Sequence, residues 1–325
     1  MNVIASDDLA LLGAGFESAM VHGADPGSVV STLFELGWAD LLVAAPDQAA
    51  ATAFGPLGAT GSSAGIIDDV IARALGLEVS LDTSVLLPAP GRWGPPARRS
   101  GTGGLEVDGL VTTRHGDSQN MVIGIANGGS TEFVTVATSL VTPSVDATID
   151  PADSVRRVRC ELPSGVAAPL DATGSWGTAV AAARVALAHQ LLGASRTMLE
   201  QARRHALDRV QFGRAVSSFQ AVRHKLAEAL VQIEGATAVV ESWSVDGDPL
   251  IAALSKSLAG QAARLTATNA QQVLAGIGFT TDHPFHLYLK RTLVVDLLFG
   301  STATLPGEIG RELLARGEAP RLVEL

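Results

Sequence analysis

Cysteine is nearly absent: Cys160 is the only one in 325 residues. A single thiol excludes an internal disulfide framework and any cysteine-rich metal site, and it fits a reducing cytoplasm. Long apolar runs are missing too. Mean hydropathy is +0.28, yet Gly, Ser, Thr or a charge interrupts every stretch before the ~18–20 residues that a spanning helix needs. The hydrophobic excess is therefore assigned to buried helices and subunit contacts, and no membrane partner is expected. Positive charge is in deficit. With a net charge of -10, a nucleic-acid partner held by phosphate neutralisation is not expected. The first residues carry neither a basic n-region nor a signal-type apolar core, so a cytoplasmic location is expected. What remains is 47% hydrophobic and 17% charged, which rules out disorder for the bulk of the chain.

Three zones follow along the chain: 1–85, 86–170 and 171–325. The first reads as helical and alanine-rich. Ser6 is placed as an N-cap before Asp7 and Asp8, and Asp25-Pro26 as a second helix start. Ile66 to Leu75 reads as a third helix, stopped by Gly76. Thr52 to Gly65, rich in Gly, Ala, Thr and Ser, reads as a loop. In the second zone Pro88 to Gly104 reads as irregular chain. The runs Met121 to Ala126, Glu132 to Ala137 and Val155 to Glu161 read as short strands. In the third zone Leu187, Leu191, Ala194 and Met198 share one helical face. Val216 to Ile233 marks a second helix and Leu250 to Leu265 a third. Pro284 and Pro306 open two more. Long helices with short connections pack as antiparallel neighbours. The expected fold is α+β and mainly α, with a helical N-terminal domain, a small middle β domain and a C-terminal four-helix bundle.

Three local patterns carry little chemistry. Gly61-Ser62-Ser63-Ala64-Gly65 matches G-x-S-x-G, but no strand precedes it as a nucleophile elbow requires. Gly13-Ala14-Gly15 lacks the third glycine of a dinucleotide fingerprint and lies in a helical pattern. Asp282, His283 and His286 are given a structural place, and no metal is expected. The basic stretch from Arg203 to Lys225 reads mostly as solvated helix surface. Arg209 stands apart, because it ends one helix beside Gln211-Phe212-Gly213 just before the next begins. An arginine at such a turn can fork onto a phosphate, and Phe212 can pack against a base.

Ala206-Leu-Asp-Arg-Val-Gln-Phe-Gly-Arg-Ala-Val-Ser-Ser-Phe-Gln220 resembles the acyl-CoA dehydrogenase signature R-x-Q-F-G-x-x-x-x-x-F-Q. Gln271-Gln-Val-Leu-Ala-Gly-Ile-Gly-Phe-Thr280 resembles that family's second flavin signature, Q-x-x-G-G-x-G-F. His286 to Arg291, Leu297 to Gly300 and, near the start, Glu35 to Val43 extend the likeness to short actinobacterial members. The resemblance implies an FAD-dependent α,β-dehydrogenation of an acyl-CoA, with electron-transfer flavoprotein reoxidising the flavin. It also implies that FAD is shared across a subunit interface. On that basis Arg209, Gln211, Phe212, Gln220, Gln272, Gly276 and Ser301 are the expected cofactor-binding residues. Ala275 stands where the family has the first glycine of its pair.

The catalytic side of the resemblance is broken. The family's base is a glutamate in one of two places, and those places are Phe299 and Ala183 (just before Arg184) here. Neither side chain can take a proton, and general-base catalysis contributes roughly 10²–10⁴-fold. The family's T-E-P-G-x-G-S-D segment should fall near Leu86 to Gly104 and is absent, and its W-I-T segment has no convincing counterpart. The chain is therefore expected to supply the adenosine-diphosphate half-site to a catalytic partner subunit, in an α2β2 complex of the kind found in steroid side-chain breakdown. Two alternatives stand beside this reading. One is a self-sufficient dehydrogenase whose base is displaced to Asp296, Glu308 or Glu312; the other is a cofactor-free structural partner.

Overall fold

The computed structural model describes residues 4–144, 149–150, 155–244 and 247–320. Five helices come first: α1 Ser6–His22, α2 Pro26–Glu35, α3 Trp38–Ala44, α4 Pro46–Thr60 and α5 Ile67–Ala74. Asp25 caps α2 through a reciprocal capping box with Ser28, and Pro26 opens it. Gly76, at φ +75°, ends α5, with Leu77 N–H reaching back to the Ala72 carbonyl. Ser6, in contrast, is already the first helical residue of α1. Ala5 occupies the cap position without a side-chain bond, so only the acidic first turn of the expected start is present.

The expected loop over Thr52 to Gly65 is mostly helix, since α4 runs to Thr60. Its glycines serve helix packing. A Cβ at Gly58 would collide with the Gln190 carbonyl of the long helix that opens the third zone, and one at Gly193 with the Gly55 carbonyl. Glycine costs a helix roughly 1 kcal/mol relative to alanine, and this close crossing offsets that cost. Thr197 Oγ1 adds a hydrogen bond to the Ala59 carbonyl at 2.9 Å.

The sheet is built from β1 Thr83–Val85, β2 Leu87–Pro88, β3 Ala97–Arg99, β4 Leu105–Val111, β5 Asn120–Asn127, β6 Ser130–Ala137, β7 Arg156–Leu162 and β8 Ala168–Pro169. The strand order is β2-β4-β3-β5-β6-β8, with β1 alongside β5 and β7 alongside β4. Pro88 to Gly104 is thus not wholly irregular, because β3 sits between β4 and β5.

The third zone holds α6 Trp176–Asp208, a small hairpin of β9 Val210–Gln211 and β10 Arg214–Ala215, α7 Gln220–Glu241, α8 Pro249–Leu274, α9 Phe285–Leu297 and α10 Leu305–Arg316. Leu187, Leu191, Ala194 and Met198 are all buried. Val216 lies in a short 3-10 turn before α7, not in that helix. One continuous apolar core joins α1–α5, the inner sheet face at Val85, Leu110 and Val122, and the bundle. Among the described residues no single helix is long and apolar enough to cross a membrane.

Candidate functional site: a cationic groove at one end of the bundle

The ends of α6 and α8 and the start of α7 meet around a groove of about 600 Å³. Arg209, Gln211, Gln272 and Gly276 line it together, although the two motifs are more than sixty residues apart in sequence. Arg209 is the C-cap of α6, and its side chain makes no hydrogen bond or ion pair with the described residues. His205, one turn earlier, and Lys225 on α7 also face the groove. Burial, with Arg209 beside it, pushes the His205 ring below the usual histidine range. No Asp or Glu lines the groove.

The floor is the turn Ala275–Phe279. A Cβ at Gly276 would meet nothing within 4 Å, so the turn is open at that point. The unusual backbone is one residue earlier. Ala275 adopts φ 54°, ψ -133°, a region that favours glycine and stores strain in alanine. The alanine that stands where the resemblance places a glycine therefore acts through backbone conformation.

The other expected site residues are placed differently. Phe212 tips the β9–β10 hairpin at φ 54° and is 91% exposed, edge-on to Phe219. Gln220 begins α7 and contacts His224 Nε2 at 3.3 Å, outside the groove lining. Ser301 is not in the groove at all. It is buried in the α9–α10 turn, where its N–H donates to Thr304 Oγ1 at 2.9 Å.

The two positions that the resemblance assigns to the base are buried: Ala183 is 0% and Phe299 1% exposed. Arg184 Nε donates to the Phe299 carbonyl at 3.0 Å. The rest of that guanidinium forks onto Glu308, at 2.7 and 3.2 Å, and lies over the Trp93 ring. Asp296 accepts from Thr302 N–H and Oγ1, and Glu312 pairs with Arg316. All three carboxylates considered as displaced bases are thus committed to structural partners. Lys256, buried below, donates to the Asp296 and Gly300 carbonyls, and burial pushes its ammonium down to about 8. Where α4, α5, α6, α9 and the sheet meet, the space is about 30 Å³, room for a water or two and not for a ring system. The contacts of Arg184 with Trp93, Phe299 and Glu308 were not legible in the sequence, since they join segments far apart in the chain.

Gly61 to Gly65 follows a helix and not a strand, so no nucleophile elbow forms. His283 Nδ1 accepts from Phe285 N–H and His286 bonds the His283 carbonyl. No group of three metal-ligating side chains occurs among the described residues. Larger clefts lie on the sheet domain, about 690 and 790 Å³; Arg98, Arg159 and Arg99 in their linings are ion-paired, and Arg92 in the first makes no ion pair with the described residues.

Helices, then sheet, then bundle, with the groove at the bundle's end, make up the acyl-CoA dehydrogenase fold. The protein superposes on a Tcur3481-Tcur3483 steroid ACAD variant with TM-score 0.74 and 19% identity, covering 96% of this chain and 98% of that one. On the ChsE4-ChsE5 complex from Mycobacterium tuberculosis the TM-score is 0.72 at 20% identity, with 99% and 100% covered. Residues 176–314 match the family described as "Acyl-CoA dehydrogenase, C-terminal domain". Acyl-CoA dehydrogenase IpdE2 of Mycobacterium tuberculosis is 32% identical over 223 residues, 69% of this chain. The matched stretch spans 64% of that relative's own length. The chain belongs to the acyl-CoA dehydrogenase family.

Proposed function

We propose that this chain is the non-basic subunit of a hetero-oligomeric, FAD-dependent acyl-CoA dehydrogenase, holding the adenosine-diphosphate end of a shared FAD for a catalytic partner. The observation that carries the reading is the asymmetry of the two half-sites. Arg209, Gln211, Gln272 and the open Gly276 turn converge on a groove free of carboxylates, whereas the base positions are Phe299 and Ala183 in a packed interior. When bound, FAD supplies hydride acceptance from the acyl β-carbon. Arg209 neutralises and orients the diphosphate, and the amides of Gln211 and Gln272 satisfy polar edges of the adenosine. No group placed here can take the α-proton, so the proton acceptor belongs to the partner. The steroid ACAD and ChsE4-ChsE5 neighbours support a partner subunit and a steroid-derived acyl-CoA as substrate, and the family resemblance supplies electron-transfer flavoprotein as electron acceptor.

The test is co-expression with acyl-CoA dehydrogenase subunits encoded nearby, followed by mass and flavin absorbance of the purified complex. Arg209→Ala is expected to lower FAD retention roughly 10–100-fold, the worth of a charge-assisted hydrogen bond. Arg214→Ala is expected to do much less, since that guanidinium lies over the Phe219 ring, outside the groove. Equal losses from both, or stoichiometric FAD and turnover in the isolated chain, would overturn the reading.

A further inference from the structure

We infer that Lys225 is a second phosphate-binding residue, acting with Arg209 as a two-cation clamp for an adenosine-diphosphate moiety in this groove. The inference rests on the nucleotide reading above but concerns a residue outside both motifs. Lys225 lies on the inward side of α7, one turn after Ala221, and lines the same groove as Arg209. Its ammonium makes no hydrogen bond or ion pair with the described residues. The nearest candidate partner on its own helix, Glu228, is turned to Asn269 Nδ2 at 3.3 Å. That same Nδ2 donates to the Lys225 carbonyl at 3.0 Å, which fixes the backbone from which the lysine stem extends. Asn269 is itself buried, so the position is anchored from beneath.

The charge pattern is what points to the ligand. The chain carries 33 carboxylates against 23 Lys and Arg, yet the lining holds two unpaired cations and no carboxylate. Two like charges around one cavity repel each other, and an occupant with at least two negative charges removes that cost. The remaining lining, from Val216 and Val222 to Leu274 and Ile277, is apolar and suits a base and ribose. An apolar slot with a cationic end, at about 600 Å³, is within the ~300–1,000 Å³ of small-molecule sites.

FAD and coenzyme A both contain an adenosine-diphosphate moiety, so the experiment separates them. ADP, adenosine, FAD and coenzyme A are titrated calorimetrically at low salt into the flavin-stripped complex of this chain with its co-expressed partner subunit. Lys225→Met is expected to weaken ADP about tenfold and to flatten its salt dependence, while leaving adenosine unchanged. Lys225→Arg is expected to restore most of the affinity, since it keeps the charge. A merely structural role would move adenosine and ADP alike and would not be rescued by arginine. ADP binding that Arg209→Ala weakens and Lys225→Met does not would overturn this inference and leave the FAD reading intact. Binding of coenzyme A but not FAD, still sensitive to Lys225, would overturn the FAD reading and leave the clamp. A wild-type complex that takes up no ADP would overturn both.

Discussion

Asp69→Asn is expected to destabilise the protein more than Arg114→Met, because of the charge each leaves behind. The two side chains join α5 to the segment after β4. Each is 2% exposed, and they meet at 3.0 Å, with Arg114 Nη1 also 3.1 Å from the second carboxylate oxygen. Trp38 Nε1 donates a further bond to Asp69 at 2.9 Å. Arg114 Nη2 donates to the Ser80 and Thr83 carbonyls. Breaking a buried pair by removing one partner costs about 3–5 kcal/mol. Asp69→Asn is expected to lie near that cost, offset in part by buried Asp68 beside the same arginine, since the guanidinium cannot lose its proton. Arg114→Met strands a carboxyl that can gain one. Burial already pushes Asp69 up to about 7 against the pull of Arg114, and without the arginine it rises further. At about pH 5 the acid is then neutral, and the cost falls to lost hydrogen bonds, about 1–3 kcal/mol. A folded-state value above the unfolded 3.8 means stability that is greatest at low pH and lost as pH rises through the folded value. Arg114→Met is therefore expected to weaken between about pH 5 and about pH 8 more steeply than Asp69→Asn. Urea unfolding of both variants at the two pH values measures this. Arg114→Met proving the worse variant at the lower pH, or losing stability equally at both, would refute the reasoning.

Two further outcomes are expected. Phe299→Glu is expected to cost about 3–5 kcal/mol through lost packing and a buried carboxyl, with no gain in acyl-CoA oxidation; turnover restored to a complex whose partner lacks its own base would show a silenced active site here. Burial, then Arg196, hold His189 down at about 4 from 6.5, so its contribution is present above about pH 6.5 and is lost as pH falls toward about 4, roughly 3 kcal/mol in all. His189→Gln should flatten that acid limb of an unfolding-against-pH curve, and an unchanged slope would count against burial as the cause.

Signals carried by neighbouring residues were legible in the sequence. Asp25-Pro26 starts α2 and Gly76 stops α5 because caps act within one turn. The alternating runs of β5 and β6 and the apolar face of α6 follow from local periodicity. The resemblance to the family at 206–220 and 271–280 could be read residue by residue for the same reason. What only the tertiary structure decided depends on segments far apart in the chain. Gly55 and Gly58 look like loop residues until α6 is laid against them, and the contact then outweighs their poor helix propensity. Ser301 sits beside a motif yet is buried in the α9–α10 turn, while Lys225 lies outside every motif and faces the groove. Ala275 differs from glycine by one methyl, but only the turn's backbone angles make that methyl a source of strain. Phe299, Trp93, Arg184 and Glu308 close the interior only when α6, α10 and the loop after β2 are packed together. Propensity and motif act over a few residues and are written in order along the chain; packing, desolvation and the sign of a cavity's charge arise when distant segments share a surface.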